Sequence, residues 1–134
     1  MERDEEYGDF PLQRFLGMAI EEVEPGRAVA RVEVTDDLHN PNDVVHGGVL
    51  FTLVDTAMGG ATMSVLDDGQ ICASIEVQLR FLRPAVIGPL EADTVVVKQG
   101  RRIVHLESRI TDGEGKLVAT AAGSFAVISA SPAP

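Results

Sequence analysis

The sequence predicts an α+β protein in which a six-stranded antiparallel sheet meets one long helix. Two observations carry that expectation. Residues Val49 to Leu66 form a proline-free apolar run, rich in Ala, Leu and Met, with Asp55 as its only formal charge. Apolar character all round a cylinder belongs to a buried helix, here of about five turns. Six other segments read as strands, and after the helix they are joined by links too short for parallel crossovers.

Taken in order, Met1 to Asp9 reads as a flexible acidic tail, Phe10 to Ile128 as one domain, and Ser129 to Pro134 as a flexible C-terminal tail. Phe10-Pro-Leu-Gln-Arg-Phe-Leu-Gly17 makes a short helical turn closed by its glycine. Met18–Glu24 and Ala28–Val34 are strands joined at Pro25-Gly26, and Ala28, Ala30, Val32 and Val34 share the packed face. The long helix ends in the polar turn Leu66-Asp-Asp-Gly69. In the third strand Ile75, Val77, Leu79 and Phe81 share one side, Ser74, Glu76, Gln78 and Arg80 the other, and Arg83-Pro84 ends the run. Leu90–Gln99 is the fourth strand, and Gly100 turns it into Arg102–Thr111, where Val104, Leu106, Ser108 and Ile110 fall together. Asp112-Gly-Glu-Gly115 is a hairpin signal leading into Leu117–Ile128. Small residues there, Ala119, Ala121, Ala122 and Gly123, admit close packing. One helix cannot cover both faces of six strands, so part of the apolar surface is expected to meet another subunit.

Composition narrows the function. The formal net charge of −10 disfavours nucleic acid or an anionic membrane as partner. No segment has the length and flanks of a transmembrane helix or a secretory signal, and the single cysteine, Cys72, fits a reducing compartment; a cytoplasmic location is expected. Three scattered histidines show no metal-ligand spacing, so no metal is expected. The charge is uneven: between Arg80 and Arg109 six cationic side chains (Arg80, Arg83, Lys98, Arg101, Arg102, Arg109) stand against three carboxylates. Such an island is a phosphate-binding patch or a solvated strand face, and the residues alone weigh the two equally.

Two features of the helix carry chemistry. A lone carboxylate in a buried helix is costly unless paired or employed, which singles out Asp55. At the other feature, Gly47 and Gly48 lie in the first turn, where N–H groups lack intrahelical acceptors and the helix dipole favours developing negative charge. Eight residues separate Gly47 from Asp55, about 12 Å at the helical rise. One reacting carbon cannot touch both, so joint action requires a second copy of the helix running antiparallel across a two-fold axis.

Asn40 followed by His46-Gly-Gly, Asp55 nine residues after that His, and a strand ending Phe81-Leu-Arg-Pro84 resemble the hotdog-fold acyl-CoA thioesterases, with closest likeness to the phenylacetate-degradation (PaaI) type. The likeness runs from about Leu12 to Ile128 and includes KQGRRIV and DGEGKLVATAAGSF. It implies a sheet wrapped around the central helix, and a homodimer as minimal unit with a homotetramer expected. It implies hydrolysis of an aryl- or medium-chain acyl-CoA to free acid and CoA, with no cofactor besides the CoA of the substrate. Gly47, through its N–H, and Asn40 would polarise the thioester carbonyl, and His46 would orient that end. Asp55 from the opposite subunit would serve as general base or nucleophile, and Ser74 would hold the water or carboxylate. Asn42 competes with Asn40, and Asp43 stands where the family pattern has Gly. The basic island then acquires a reason, with Arg83, Lys98, Arg101 and Arg102 as contacts for the CoA arm.

Bland readings remain beside these. Asp55 can be a structural carboxylate held by hydroxyls such as Thr52 or Thr56, His46 a capping residue, Asn40 and Asn42 turn formers. Ser74 is the weakest assignment, because alternation sets it with Glu76 and Gln78, and only a bulge or a dimer contact would bring it to the site. The competing functions are a hotdog hydratase or dehydratase and a non-catalytic acyl-CoA-binding module.

Overall fold

The computed structural model describes residues 9–129, so the tail residues 1–8 and 130–134 lie outside the described residues. The elements are α1 (Pro11–Leu16), β1 (Met18–Glu24), β2 (Arg27–Val32), a 3-10 turn (Asp36–Leu38), α2 (Gly47–Met63), β3 (Gln70–Phe81), β4 (Leu90–Gln99), β5 (Ile103–Thr111) and β6 (Leu117–Ser129). Ser129, assigned to the C-terminal tail from the sequence, instead closes β6 opposite Gln70.

The strands form one antiparallel sheet in the order β1-β2-β4-β5-β6-β3, and α2 packs against all six. This is the hotdog architecture. Period-two alternation sends Ala28, Ala30 and Val32 of β2, Leu90 and Ala92 of β4, Val104, Leu106 and Ile110 of β5, and Ala119 and Phe125 of β6 onto the helix side, all buried. They enclose Leu53, Val54, Ala57, Met58 and Ala61 of α2. Gly123 is where the helix comes closest: a Cβ there would stand 2.5 Å from Met58 Sδ. The polar members of this face satisfy each other, Thr94 Oγ1 donating to Ser108 Oγ at 2.8 Å.

Twelve of the seventeen residues of α2 are buried, as its composition predicts. The helix stops at Met63, short of the expected Leu66. Val65 N–H and Leu66 N–H bond back three residues, to Thr62 O and Met63 O, tightening the chain into the Asp67–Gly69 turn. α1 ends at Gly17 in the left-handed region (φ 74°), and it is fastened by the buried Gln13, which accepts from Phe10 N–H at 3.1 Å and donates to Met18 O. Nothing in the sequence pattern singled out that glutamine.

β3 carries the main departure from simple alternation. Its register with β6 slips between Ser74 (opposite Phe125) and Glu76 (opposite Ser124), leaving Ile75 as an extra residue. Val77 and Leu79 beyond the bulge, and Cys72 before it, pack on the core, whereas Ile75 is 54% exposed. The bulge reverses the phase, and Ser74 joins the helix side.

Candidate active site

α2 organises two separate clefts. The first surrounds its N-terminus: Asn40, Val44, Gly47, Leu50, Phe81 and Arg83 line a hollow of about 430 Å³. The loop leading there is a compact turn. Asn40 Oδ1 accepts from Asn42 N–H at 2.8 Å, Asn40 N–H donates to Val44 O at 2.7 Å, and His39 bridges to Val45. Asp43 takes φ 61°, the left-handed conformation that explains a glycine in the family pattern and that Asp tolerates better than most residues. Asn40 is half-buried in the cleft; Asn42 is exposed and contributes its backbone to holding Asn40.

His46 is the N-cap of α2. Its Nδ1 accepts the Gly48 N–H at 2.8 Å, so the ring proton of the neutral imidazole sits on Nε2. That bond uses up Gly48 as a donor and holds the first turn rigid. Among the described residues, Gly47 N–H has no acceptor, whereas the neighbouring donors His46 N–H, Gly48 N–H and Val49 N–H go to Leu38 O, His46 Nδ1 and His46 O. One oriented backbone donor therefore remains at the positive end of a seventeen-residue helix. The Phe81 ring, 56% exposed, lies 3.1 Å from where a Gly47 Cβ would be and forms a wall beside that donor.

The second cleft, about 540 Å³, lies two turns along α2 and contains Asp55. Thr52, Thr56, Cys72, Ser74 and Phe125 line it, with Phe10 and the first residues of α1, Pro11 and Leu12, as a further wall. Ser74 Oγ donates to Asp55 Oδ1 at 2.7 Å. The hydroxyls of Thr52 and Thr56 do not hold the carboxylate; Thr52 Oγ1 bonds Gly48 O instead. The bulge at Ile75 thus makes the Ser74–Asp55 pair, and the alternation-based grouping of Ser74 with Glu76 and Gln78 is corrected.

Within one chain, then, Asn40, His46 and Gly47 come together, Asp55 and Ser74 come together, and the two groups open into different hollows. The basic island is divided as well. Arg83 lines the Gly47 cleft. Arg101 and Arg102 lie at the opposite end of the sheet, where Arg102 O accepts from Val127 N–H and Ile103 pairs with Ala126, which pairs with Ala73 beside the Asp55 cleft. Lys98 pairs with His105 on the side of the sheet away from α2 and is not brought to either cleft.

The Thioesterase superfamily profile matches residues 42–119, which include His46, Gly47, Asp55, Ser74 and Arg83. The chain belongs to the thioesterase superfamily. Among its relatives, the acyl-coenzyme A thioesterase PaaI of Escherichia coli is 33% identical over 78% of this chain and 73% of its own length. The 1,4-dihydroxy-2-naphthoyl-CoA hydrolase of Listeria monocytogenes is 29% identical over 87% of this chain and 94% of its own. The solved structure of the E. coli PaaI protein superposes with a TM-score of 0.84 at 31% identity, covering 92% and 88% of the two chains.

As a thioesterase the protein hydrolyses a thioester, a reaction that needs stabilisation of a tetrahedral oxyanion and delivery of a nucleophile to the carbonyl carbon. A free N–H at a helix N-terminus is the kind of group that can do the first, a carboxylate held by a hydroxyl the second. Among the described residues no helix is long and apolar enough to cross a membrane.

Proposed function

We propose that the protein is an acyl-coenzyme A thioesterase acting on aryl or medium-chain acyl groups, with each active site shared by two protomers of a homodimer. The observation that carries this reading is the separation of its two chemical groups: Gly47 N–H and Asp55 lie on one helix but open into different clefts. Two such helices, antiparallel across a two-fold, would bring each Asp55 to the other's Gly47. The thioester carbonyl accepts from Gly47 N–H and from the amide of Asn40. Asp55 of the partner, aimed by Ser74, either takes a proton from a water that attacks the carbonyl carbon, or attacks that carbon itself to give an anhydride that water then opens. In both routes the C–S bond breaks, CoA leaves as the thiolate and the acyl group is released as the free acid.

The edge of β3 supports such a pairing. β3 is the last strand of the sheet, twelve residues long, with Ile71 and Ile75 exposed along it. A long apolar edge is a template for another chain. A shared site would draw Arg83 from the protomer giving Gly47, and Arg101 and Arg102 from the one giving Asp55, toward the phosphates of CoA. The names of the E. coli and Listeria relatives point to the same substrate class and, for the second, to an aryl acyl group.

The test is release of free thiol from a panel of aroyl- and medium-chain acyl-CoAs by the native chain and Asp55→Asn. Loss of about 10²–10⁴-fold in kcat, with mass and melting unchanged, is expected. Turnover within tenfold of native would remove Asp55 from the reaction. Binding of every acyl-CoA with no thiol released would favour the non-catalytic module.

A further inference from the structure

The Asp55 cleft contains a hydroxyl that nothing else in the described chain uses. Thr56 lines the cleft, one residue along α2 from Asp55, and is only 6% exposed. Threonines inside helices commonly return their hydroxyl to the carbonyl four residues back. Two in α2 do so: Thr52 Oγ1 donates to Gly48 O at 2.9 Å, and Thr62 Oγ1 to Met58 O at 2.8 Å. Thr56 Oγ1 bonds neither Thr52 O nor any other group among the described residues. Among those residues no side-chain nitrogen or oxygen is both sealed from solvent and unbonded. The Thr56 hydroxyl therefore reaches open space, and the hollow that Thr56 lines is the Asp55 cleft. The other hydroxyls of that cleft are engaged, Ser74 by Asp55 Oδ1 at 2.7 Å and Thr52 by Gly48 O, and Arg14 is held by Asp9 at 2.7 Å. Asp55 Oδ2 accepts from no group among the described residues. A carboxylate oxygen and a hydroxyl, on adjacent residues lining one cleft, thus keep unused hydrogen-bonding capacity.

We infer that Thr56 is a further catalytic residue, which holds the hydrolytic water against Asp55. The inference rests on the acyl-coenzyme A thioesterase reading above and deepens it, because it makes water, not the carboxylate, the attacking group. The water gives one hydrogen to Asp55 Oδ2 and the other to Thr56 Oγ1, which leaves a lone pair for the thioester carbon. As the new C–O bond forms, the first proton passes to Asp55 and the carbonyl electron pair moves onto its oxygen, at the Gly47 N–H of the other protomer. Collapse breaks the C–S bond. The acid keeps the water's oxygen and second hydrogen, and the CoA thiolate takes the proton from Asp55, which restores the carboxylate. Ser74 aims the base, and Thr56 aims the water. An alcohol has one hydroxyl hydrogen and cannot fill both positions, so the pair also selects water over alcohols.

Thr56→Val replaces the hydroxyl with a methyl group of similar size. A hydroxyl without a partner leaves nothing unpaired when it is removed, so the variant is expected to melt no lower than native and to keep its mass. Its kcat for thiol release from benzoyl-CoA and octanoyl-CoA is expected to fall about tenfold at unchanged KM. Thr56→Ser, which keeps the hydroxyl, is expected to retain most of the native kcat. In dilute methanol the native chain is expected to form free acid, and Thr56→Val to form methyl ester beside it. A native kcat in Thr56→Val, an equal loss in Thr56→Ser, or the same ratio of ester to acid in native and Thr56→Val would each overturn the inference. So would a Thr56→Val chain that melts well below native, because the hydroxyl would then be a structural one. Asp55→Asn inactive beside a fully active Thr56→Val removes Thr56 and leaves the thioesterase reading standing. Asp55→Asn within about tenfold of native removes the carboxylate, and with it the water that Thr56 would hold.

Discussion

Asp55 is aimed by one side chain, the Ser74 hydroxyl at 2.7 Å. Hydrogen bonds to charged groups contribute about 1.5–3 kcal/mol, and each 1.4 kcal/mol is about tenfold in rate. Ser74→Ala is therefore expected to lower kcat about 10- to 100-fold while KM changes little. In an Asp55→Asn background the same change is expected to do almost nothing, because residues that act as a unit are non-additive. Equal losses in both backgrounds, read from steady-state kinetics, would separate the two roles. The Ser74 contact was beyond local pattern, because Ile75 is as good a strand residue as Val77 and nothing in its neighbours announces a bulge. Asp55, by contrast, stood out as a charge without an obvious partner in an apolar run. Asp43 shows the same division: a residue out of place in the family pattern was visible, but its left-handed φ was not.

At the scale of elements, turn chemistry was the most legible part of the chain, since its causes are local. The β5–β6 hairpin is an example. Asp112 Oδ1 accepts from Glu114 N–H at 2.9 Å and from Lys116 N–H at 3.0 Å, holding the ends of the turn. The Lys116 N–H bond is the leading cause that keeps this carboxyl below its ordinary value of 3.8. A carboxylate with a depressed folded-state value contributes its stability fully above the unfolded value and loses it as pH falls through the folded one. Asp112→Ala is accordingly expected to melt lower than native at pH 7, and the gap is expected to narrow below about pH 3.8. Thermal scans across that range check it, and a gap independent of pH would show that the side chain acts without its charge. The boundaries of α2 were less legible. Its start depends on His46 taking the Gly48 N–H, and its end on three-residue hydrogen bonds that apolar periodicity does not report. The contact of Gly123 with Met58 joins residues far apart in the chain, so only the folded sheet reveals it.

For the whole molecule, the question is whether one chain or two make a site. The distance along α2, about 12 Å between Gly47 and Asp55, already argued for two from sequence alone. The Asp55 cleft was not legible there, because its walls come from α1, α2, β3 and β6 at once. Complementation of two inactive variants decides the question. Gly47→Pro removes the Gly47 N–H, the proposed oxyanion donor, and little else: proline suits the first helical position, and the extended φ and ψ of His46 (−61°, 136°) accommodate it. The exposed Phe81 ring has room to yield to the new atoms. Gly47→Pro and Asp55→Asn are each expected to be inactive alone. Unfolded and refolded together in equal amounts, they form mixed dimers in about half the cases. A site that spans two protomers then finds its native Asp55 in the Gly47→Pro chain and its native Gly47 in the Asp55→Asn chain. Each mixed dimer regains one of its two sites, or about a quarter of the native activity for the mixture. A site confined to one chain would always contain one of the two lesions, and the mixture would stay as inactive as its parts.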